Sequence, residues 1–213
     1  MRAFLISAAF VAVLAPALAA GQDFRSGEGP LAITSWVVRE SAADPGAFVA
    51  APADSGFSKY DGGYLPAARS AGPRMYTFVA DIGVDAALKD VPLALFMGPG
   101  DYPRDVWLNG VLLLRTGDHG TRYNATVYYS SRILLPPQLL KYGASNRIAI
   151  EAYPAYETSP LGDFSIGNFY DITSMVFLRD LFNIHLVQAA VVAALAIAIF
   201  YFGSSRSRVG KNA

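Results

Sequence analysis

The sequence lacks cysteine altogether and is poor in charged residues. Of its 213 residues, 16% are charged and 53% are hydrophobic, with 17 basic and 17 acidic side chains. Without cysteine there are no disulfides, so an exported domain must be held together by its core. The balanced charge offers no broad basic surface, and we expect no nucleic-acid partner. The mean hydropathy of +0.31 indicates that part of the chain lies in lipid or in a targeting segment.

The sequence also lacks the usual motifs of catalytic and metal sites. Its only histidines are His119, in a polar loop, and His185, beside an apolar run. No nucleophile motif, phosphate-binding loop or metal-ligand spacing is present. A glycosidase needs two acids facing one cleft, and the spacing of Asp101, Asp105 and Glu151 selects no pair. We therefore expect no catalytic residues, no metal and no cofactor.

The N-terminus has the three parts of a secretory signal peptide. Arg2 precedes an apolar run over residues 3–14, which is followed by the small-residue stretch Ala17-Leu18-Ala19-Ala20. This order predicts a signal peptide over residues 1–20, with cleavage after Ala19 or Ala20. The alternative is an uncleaved anchor, although the run is short for a bilayer span. In either case the region that follows is exported.

A second apolar run, near the C-terminus, predicts a transmembrane helix over residues 184–203. Gln188 is its one strongly polar interruption, and Arg206, Arg208 and Lys211 follow it. By the positive-inside rule, residues 204–213 form a cytoplasmic tail. The alternative is a buried core helix. We expect a single-pass protein of the bacterial inner membrane whose N-terminal domain lies on the periplasmic or extracytoplasmic side.

The exported region, residues 21–165, shows the period-two pattern of β-strands. Tyr76, Phe78, Ala80 and Ile82 alternate on one face, and residues 31–40 alternate well enough to form one strand. Asn109-Gly110 predicts a two-residue hairpin. Short strands separated by turns indicate an antiparallel β-sandwich. Residues 166–183 are expected to connect it to the span as a helix, because neither glycine nor proline interrupts residues 171–202.

Two segments carry a resemblance to a known fold. The first, DVWLNGVLLLRTG, ends a strand in an Asn-Gly turn, and the second, LLKYGASNRIAI, supplies a late strand. Together they resemble the galactose-binding-like jelly rolls of glycoside hydrolases and carbohydrate-binding modules. The matching residues are Val106, Trp107, Asn109, Gly110, Leu139, Leu140, Gly143, Asn146, Ile148 and Ile150. The resemblance implies an all-β jelly-roll sandwich.

A narrower resemblance comes from the order of the segments. A signal peptide, a jelly roll, the loop LGDFSIGNFYDI, a helix through FLRDLF and a span together resemble the bacterial seven-transmembrane receptors with diverse intracellular signalling modules. That resemblance implies a carbohydrate-like ligand and coupling to a kinase or cyclic-nucleotide output. Because one span is present here instead of seven, the chain is interpreted as a truncated relative, a stand-alone accessory protein or the sensor half of a split system.

The predicted ligand-binding residues cluster around the hairpin. Aromatic faces beside polar side chains are typical of sugar-binding surfaces. Trp107 points away from Val106 and Leu108, which favours its exposure, although alternating aromatic residues are also typical of a core. The predicted ligand-binding set is Asp105, Trp107, Asn109, Tyr123 and Tyr128.

These patterns leave three functional hypotheses. The first is a membrane-anchored sensor domain that binds a glycan or another small molecule and takes part in signal transduction. The second is a structural or accessory subunit that docks on another membrane protein, with Gln188 and the small residues of the span packing against its helices. The third is a degenerate glycoside-processing enzyme using Asp105 or Glu151. In all three, residues 184–203 contact the lipid bilayer.

Overall fold

The computed structural model describes residues 22–41, 56–63, 75–100, 102–118, 124, 129–154 and 160–209. The predicted signal peptide lies outside these ranges. Within them, two β-sheets pack face to face and are followed by a long helix. This confirms the expected fold class, a β-sandwich followed by one C-terminal apolar helix.

The larger sheet has seven strands within the described ranges. Six of them lie in the order β4-β3-β5-β10-β7-β8, and the seventh, β1, pairs in parallel with the C-terminal end of β5. These strands are β1 (Gln22–Phe24), β3 (Val37–Ser41), β4 (Ser58–Lys59), β5 (Met75–Val84), β7 (Arg104–Leu108), β8 (Val111–Thr116) and β10 (Ala144–Ala152). The smaller sheet, in the order β2-β11-β6-β9, contains β2 (Leu31–Ala32), β6 (Leu93–Met97), β9 (Ser131–Leu134) and β11 (Phe164–Asn168). Short 3-10 helices occupy Ala86–Leu88 and Pro137–Leu139.

The core lies between the sheets and follows the alternation of the sequence. Phe78 and Ile82 of β5 meet Leu95 of β6 and Phe164 of β11, and all four side chains are buried. Val106 and Leu108 also face this core, so the intervening Trp107 belongs to the opposite face of the larger sheet. Period two therefore placed the inward residues of β5 and β7 correctly.

The expectation of one strand over residues 31–40 is wrong. The segment divides into β2 and β3, which belong to different sheets. The Gln22 side chain accepts hydrogen bonds from the backbone N–H groups of Thr34 and Ser35, at 2.8 and 3.2 Å. Trp36 Nε1 donates to the Ile33 carbonyl at 2.8 Å. These contacts stabilise residues 33–36, where the chain passes from the smaller sheet to the larger one. They satisfy backbone groups that a continuous strand would have paired with a neighbouring strand.

Helix α1 (Phe169–Asp180) packs on the outer face of the smaller sheet. Ile172 is fully buried against Ala94 and Phe96. Asn168 caps the helix by accepting a hydrogen bond from Tyr170 N at 2.9 Å. Because β11 ends where α1 begins, no flexible linker separates the sandwich from the helix.

Three polar contacts fasten the end of α1 to the sandwich. Arg179 Nη1 pairs with Asp163 Oδ2 at 2.8 Å, and its guanidinium lies over the Phe96 ring at 5.5 Å. Asp180 Oδ1 accepts a hydrogen bond from Ser130 N at 3.2 Å. The helix starts beside Pro92, whose carbonyl accepts from Phe169 N, so α1 runs along the whole smaller sheet. It leaves the sandwich at the end opposite the Asn109-Gly110 hairpin.

The helix continues through a π-helical turn, Leu181–His185, into α2 (Leu186–Val209). Residues Phe169–Phe202 form one apolar helical stretch with a mean hydropathy of 2.2, and no residue of its most apolar window is buried. The helix is thus long and apolar enough to cross a membrane. The domain boundary expected at residue 165 falls inside β11.

Candidate functional site

The Asn109-Gly110 turn is a hairpin of the predicted kind, with φ of 49° and 87° at its two residues. Asn109 Nδ2 donates to the Leu139 carbonyl at 2.7 Å and to Asn146 Oδ1 at 2.9 Å. Its Oδ1 accepts from Arg147 N at 2.9 Å. The amide is therefore engaged inside the protein, and this geometry favours a structural role for Asn109 over ligand contact.

Trp107 and Asp105 lie on the outer face of the larger sheet. Trp107 is half-buried beside Val79 and Ala149, and its Nε1 donates to Glu151 Oε2 at 3.0 Å. Asp105 is 1% exposed and accepts three hydrogen bonds from Arg115, at 2.9, 3.1 and 2.7 Å. This pairing raises the pKa of Arg115, chiefly through the hydrogen bond to Asp105. The predicted site residues Tyr123 and Tyr128 lie outside the described residues.

A row of polar side chains crosses five strands on this face. Each residue is the register partner of the next, in the order Arg39, Thr77, Glu151, Asp105 and Arg115. The sheet thus sets Glu151 directly opposite Asp105, a pairing that sequence spacing did not reveal. Both carboxylates are buried and hydrogen-bonded, to Trp107 and Arg115 respectively. A glycosidase pair must reach a substrate, so this arrangement fits a structural role better than hydrolysis.

A cleft with the features of a ligand site lies elsewhere, at the edge where β2 and β11 meet α1. It has a volume of about 780 Å³ and opens to solvent. Its walls come from four separate parts of the chain. They are Ala32, Ile33, Thr34 and Trp36; Lys59, Tyr60, Asp61 and Gly62; Gly162, Asp163, Phe164 and Ser165; and Met175 of α1.

At the base of the cleft, Trp36 and Phe164 are core side chains with 3% and 2% exposure, and Tyr60 beside them is half-buried. The Trp36 and Phe164 rings meet edge to face at 5.4 Å, and Tyr60 meets Phe78 in the same way at 5.0 Å. The Tyr60 hydroxyl donates to the Gly63 carbonyl at 2.7 Å and accepts from Leu161 N at 3.0 Å. Burial raises the pKa of Tyr60, so the phenol stays neutral at physiological pH.

The rim of the cleft is polar and carries both signs of charge. Thr34, Lys59 and Asp61 are exposed. Asp61 Oδ1 accepts from Gly63 N at 2.9 Å, which closes a turn through Gly62 at a φ of 84°. Carboxylate, ammonium and hydroxyl groups around an aromatic base can bind the hydroxyl groups and the ring face of a polar ligand.

Sequence reasoning missed this cleft. The available signal was the segment KYDGG at residues 59–63, where a tyrosine precedes a tight turn, together with Trp36 immediately before β3. Among the described residues, no group of three or more histidine, aspartate and glutamate side chains is placed to hold a metal ion.

The sandwich is similar to part of a glycosyl hydrolase family 2 member from Bacteroides cellulosilyticus. Two of its crystal structures align over 66% of this chain and 20% of the hydrolase chain, with TM-scores of 0.50 and identities of 14% and 13%. A beta-glucuronidase from an uncultured Clostridium species aligns over 65% of this chain and 28% of its own, with a TM-score of 0.48 and 11% identity. No protein-family model and no curated protein matches the chain.

The likeness shows the fold alone. The chain spans about a fifth of the length of the hydrolase that it matches, so the match concerns one β-sandwich of a much larger enzyme. The match by itself assigns no activity to this chain.

Proposed function

We propose that the protein is a membrane-anchored, non-catalytic module that binds a carbohydrate or a similar polyhydroxylated ring in the cleft between β2, β11 and α1. The observation that carries the proposal is the composition of this cleft, with Trp36, Tyr60 and Phe164 at its base and Lys59 and Asp61 on its rim. The half-buried Tyr60 offers ring surface beside these polar groups, and ring surface flanked by fixed polar groups suits ring-shaped polar ligands. The fold shared with a part of a glycosyl hydrolase is compatible with this role.

The domain lies on the extracytoplasmic side in this proposal, behind a cleaved signal peptide, and residues 184–203 cross the inner membrane. The cleft also suits a sensor, as the resemblance to seven-transmembrane receptors suggested. Met175 lines the cleft and belongs to the helix that continues into the span. A ligand that prefers one position of α1 shifts that helix, and a helix without a flexible linker transmits the shift.

Calorimetry on the full-length protein in nanodiscs, against a panel of soluble glycans, tests the binding proposal. The full-length protein is used because truncation before residue 169 would expose Phe96 and Ala94. Asp61→Asn keeps the turn to Gly63 but removes the charge, and we expect it to weaken binding about tenfold, the effect of one charge-assisted hydrogen bond. Asp90→Asn, an exposed carboxylate outside the cleft, is the matched control. Absence of binding by every glycan at millimolar concentration contradicts the proposal.

A second function, docking on another membrane protein, is favoured by a different observation. Tyr170, Phe177 and Phe182 are 70%, 62% and 61% exposed, and Leu178 is half exposed, outside or at the edge of the span. Large apolar side chains exposed together in this way mark interaction surfaces. Photo-crosslinking from position 177 should capture one defined membrane protein in intact cells, while the same crosslinker at exposed Lys89 should not. Equal capture from both positions argues against docking.

A further inference from the structure

Asp163 belongs both to the cleft and to the attachment of the helix. It lines the cleft between β2, β11 and α1, and its Oδ2 pairs with Arg179 Nη1 at 2.8 Å. Arg179 lies one helical turn beyond Met175, on the same face of α1, and Met175 also lines the cleft. The ion pair that fastens the end of α1 therefore stands at the wall of the proposed binding site.

The charged groups that line the cleft favour a ligand with a positive charge. Asp61 and Asp163 supply two carboxylates, and Lys59 supplies one ammonium. Within the described part of the chain, neither Lys59 nor Asp61 forms an ion pair, so they do not neutralise each other. Asp163 already binds a cation, the guanidinium of Arg179. A cation on a ligand can replace that guanidinium.

The ion pair between Asp163 and Arg179 is weak enough for a ligand to displace. The two side chains are 68% and 31% exposed, and one hydrogen bond joins them. Arg179 Nε is buried without a hydrogen-bond partner among the described residues, so the pair lacks the second parallel bond of a bidentate arrangement. An exposed pair of this kind shifts an equilibrium by about fivefold at most, whereas a hydrogen bond between charged groups shifts it by about tenfold or more.

Loss of this ion pair acts on the end of α1 and leaves its beginning in place. Ile172 anchors the first half of the helix, because it is fully buried against the smaller sheet. The last turn has polar contacts with the sandwich through Arg179 and through the hydrogen bond from Ser130 N to Asp180. A ligand that binds Asp163 removes the first of these contacts, and the last turn can then move.

We propose that the cleft binds a ring that carries an ammonium group, of the amino-sugar class, and that this ammonium displaces Arg179 from Asp163. The ring lies beside Tyr60, and Asp61 accepts hydrogen bonds from its hydroxyl groups. Displacement releases the last turn of α1, which continues through the π-helical turn into the proposed span. The inference rests on the proposed function, because it names the ligand class of the same cleft.

Calorimetry on the full-length protein in phosphatidylcholine nanodiscs, which carry no net charge, tests the ligand class. Three tetrasaccharides share one backbone and differ in the group at the second ring carbon. The glucosamine tetramer carries an ammonium there, the N-acetylglucosamine tetramer an acetamide and cellotetraose a hydroxyl. We expect the glucosamine tetramer to bind about tenfold more tightly than the other two. Equally tight binding of spermidine, a linear polyamine, overturns the assignment to an amino sugar.

The two partners of the ion pair should have opposite effects on affinity. Asp163→Asn removes the carboxylate that the ammonium binds and should weaken binding of the glucosamine tetramer about tenfold. Arg179→Gln removes the competing cation and should strengthen this binding by up to about fivefold. Neither variant should change the affinity for cellotetraose. Lys141→Gln, which removes an exposed charge outside the cleft, is the matched control. Effects of the same sign from Asp163→Asn and Arg179→Gln contradict the competition.

A distance measurement detects the release of α1. Because the chain has no cysteine, Lys89→Cys and Leu178→Cys place one spin label on the sandwich and one on the last turn of α1, both at exposed positions. The glucosamine tetramer should shift the distribution of label distances toward that of the ligand-free Arg179→Gln protein, and cellotetraose should not. A distribution that stays unchanged at saturating glucosamine tetramer refutes the release.

The outcomes separate this inference from the proposed function. Absence of binding by all three tetrasaccharides refutes carbohydrate binding and the inference with it. Equal binding of the three tetrasaccharides refutes the amino-sugar inference alone, since the cleft then binds a carbohydrate without using its charge. Tryptophan fluorescence identifies any variant that fails to fold, and the comparison of the three probes on the unaltered protein does not depend on the variants.

Discussion

Replacement of Asn109 distinguishes a structural hairpin from a ligand-binding one. The side chain makes three hydrogen bonds, to the Leu139 carbonyl, to Asn146 Oδ1 and from Arg147 N. A typical buried hydrogen bond contributes about 1 kcal/mol net. Asn146 Oδ1 keeps a second donor, Lys141 N at 2.7 Å, so Asn109→Gly should lower the free energy of unfolding by about 2 to 3 kcal/mol. Asn109→Ala should cost about 1 kcal/mol more, because alanine is strained at positive φ.

The assay uses the two tryptophans of the chain. Trp36 and Trp107 both lie in the sandwich, so their fluorescence reports its unfolding in urea or on heating and is blind to the transmembrane helix. The expected loss corresponds to a fall in melting temperature of about 4 to 12 °C for a domain of this size. Asn109→Asp keeps the acceptor for Arg147 N but sets a carboxylate oxygen against two acceptors, the Leu139 carbonyl and Asn146 Oδ1, and should destabilise the domain at least as much as Asn109→Gly. A glycine variant within about 0.5 kcal/mol of wild type with altered ligand affinity would refute the structural reasoning.

Three further perturbations follow from buried groups. Ile172→Ala leaves a cavity against Phe96, and we expect hydrogen exchange in α1 to accelerate by the equivalent of about 2 to 4 kcal/mol, with the strands of the core protected as before. Arg115→Met leaves the buried Asp105 carboxylate without its partner and should destabilise the sandwich by about 1 to 2 kcal/mol in denaturant titration, a value reduced because Arg115 is half exposed. Burial raises the pKa of Tyr142, so the unfolded chain loses this proton first and stability falls as pH rises above about 10. Tyr142→Phe should leave stability at pH 7 unchanged, since the hydroxyl has no partner among the described residues. Above about pH 10 the variant should lose less stability than the wild type as the pH rises. A decline as steep as in wild type contradicts this account.

The turn, strand and helix that were predicted correctly are those determined by residues close together in the sequence. The Asn109-Gly110 turn and the inward face of β5 follow from positive φ and from period two, and the structure confirms both. The long apolar helix at the C-terminal end of the described residues is also predicted, because residues 171–202 hold no glycine or proline. In each case the information lies within one continuous stretch of the chain.

Non-local pairing decided what the sequence did not reveal. The break between β2 and β3 depends on Gln22, which is about twelve residues away from the groups it binds. Glu151 meets Asp105 only because β10 pairs with β7 in one register among several that alternation allows. The cleft is lined by segments around Trp36, Tyr60 and Phe164. These segments are far apart in the sequence, and no spacing pattern predicts that they lie together. The exposed residues of α1 were missed because both faces of this helix are apolar, which weakens any amphipathic signal.

The rigid junction between β11 and α1 also limits how far the protein can reach. Met175, at the wall of the cleft, precedes Ile184 by about nine residues, and helix α1 rises about 14 Å over that length. In the proposed orientation, the cleft lies about 14 Å above the edge of the hydrocarbon, a distance shorter than the thickness of one lipid leaflet. It therefore samples soluble molecules and glycans that come down to the membrane, while polymers anchored farther out stay beyond its range.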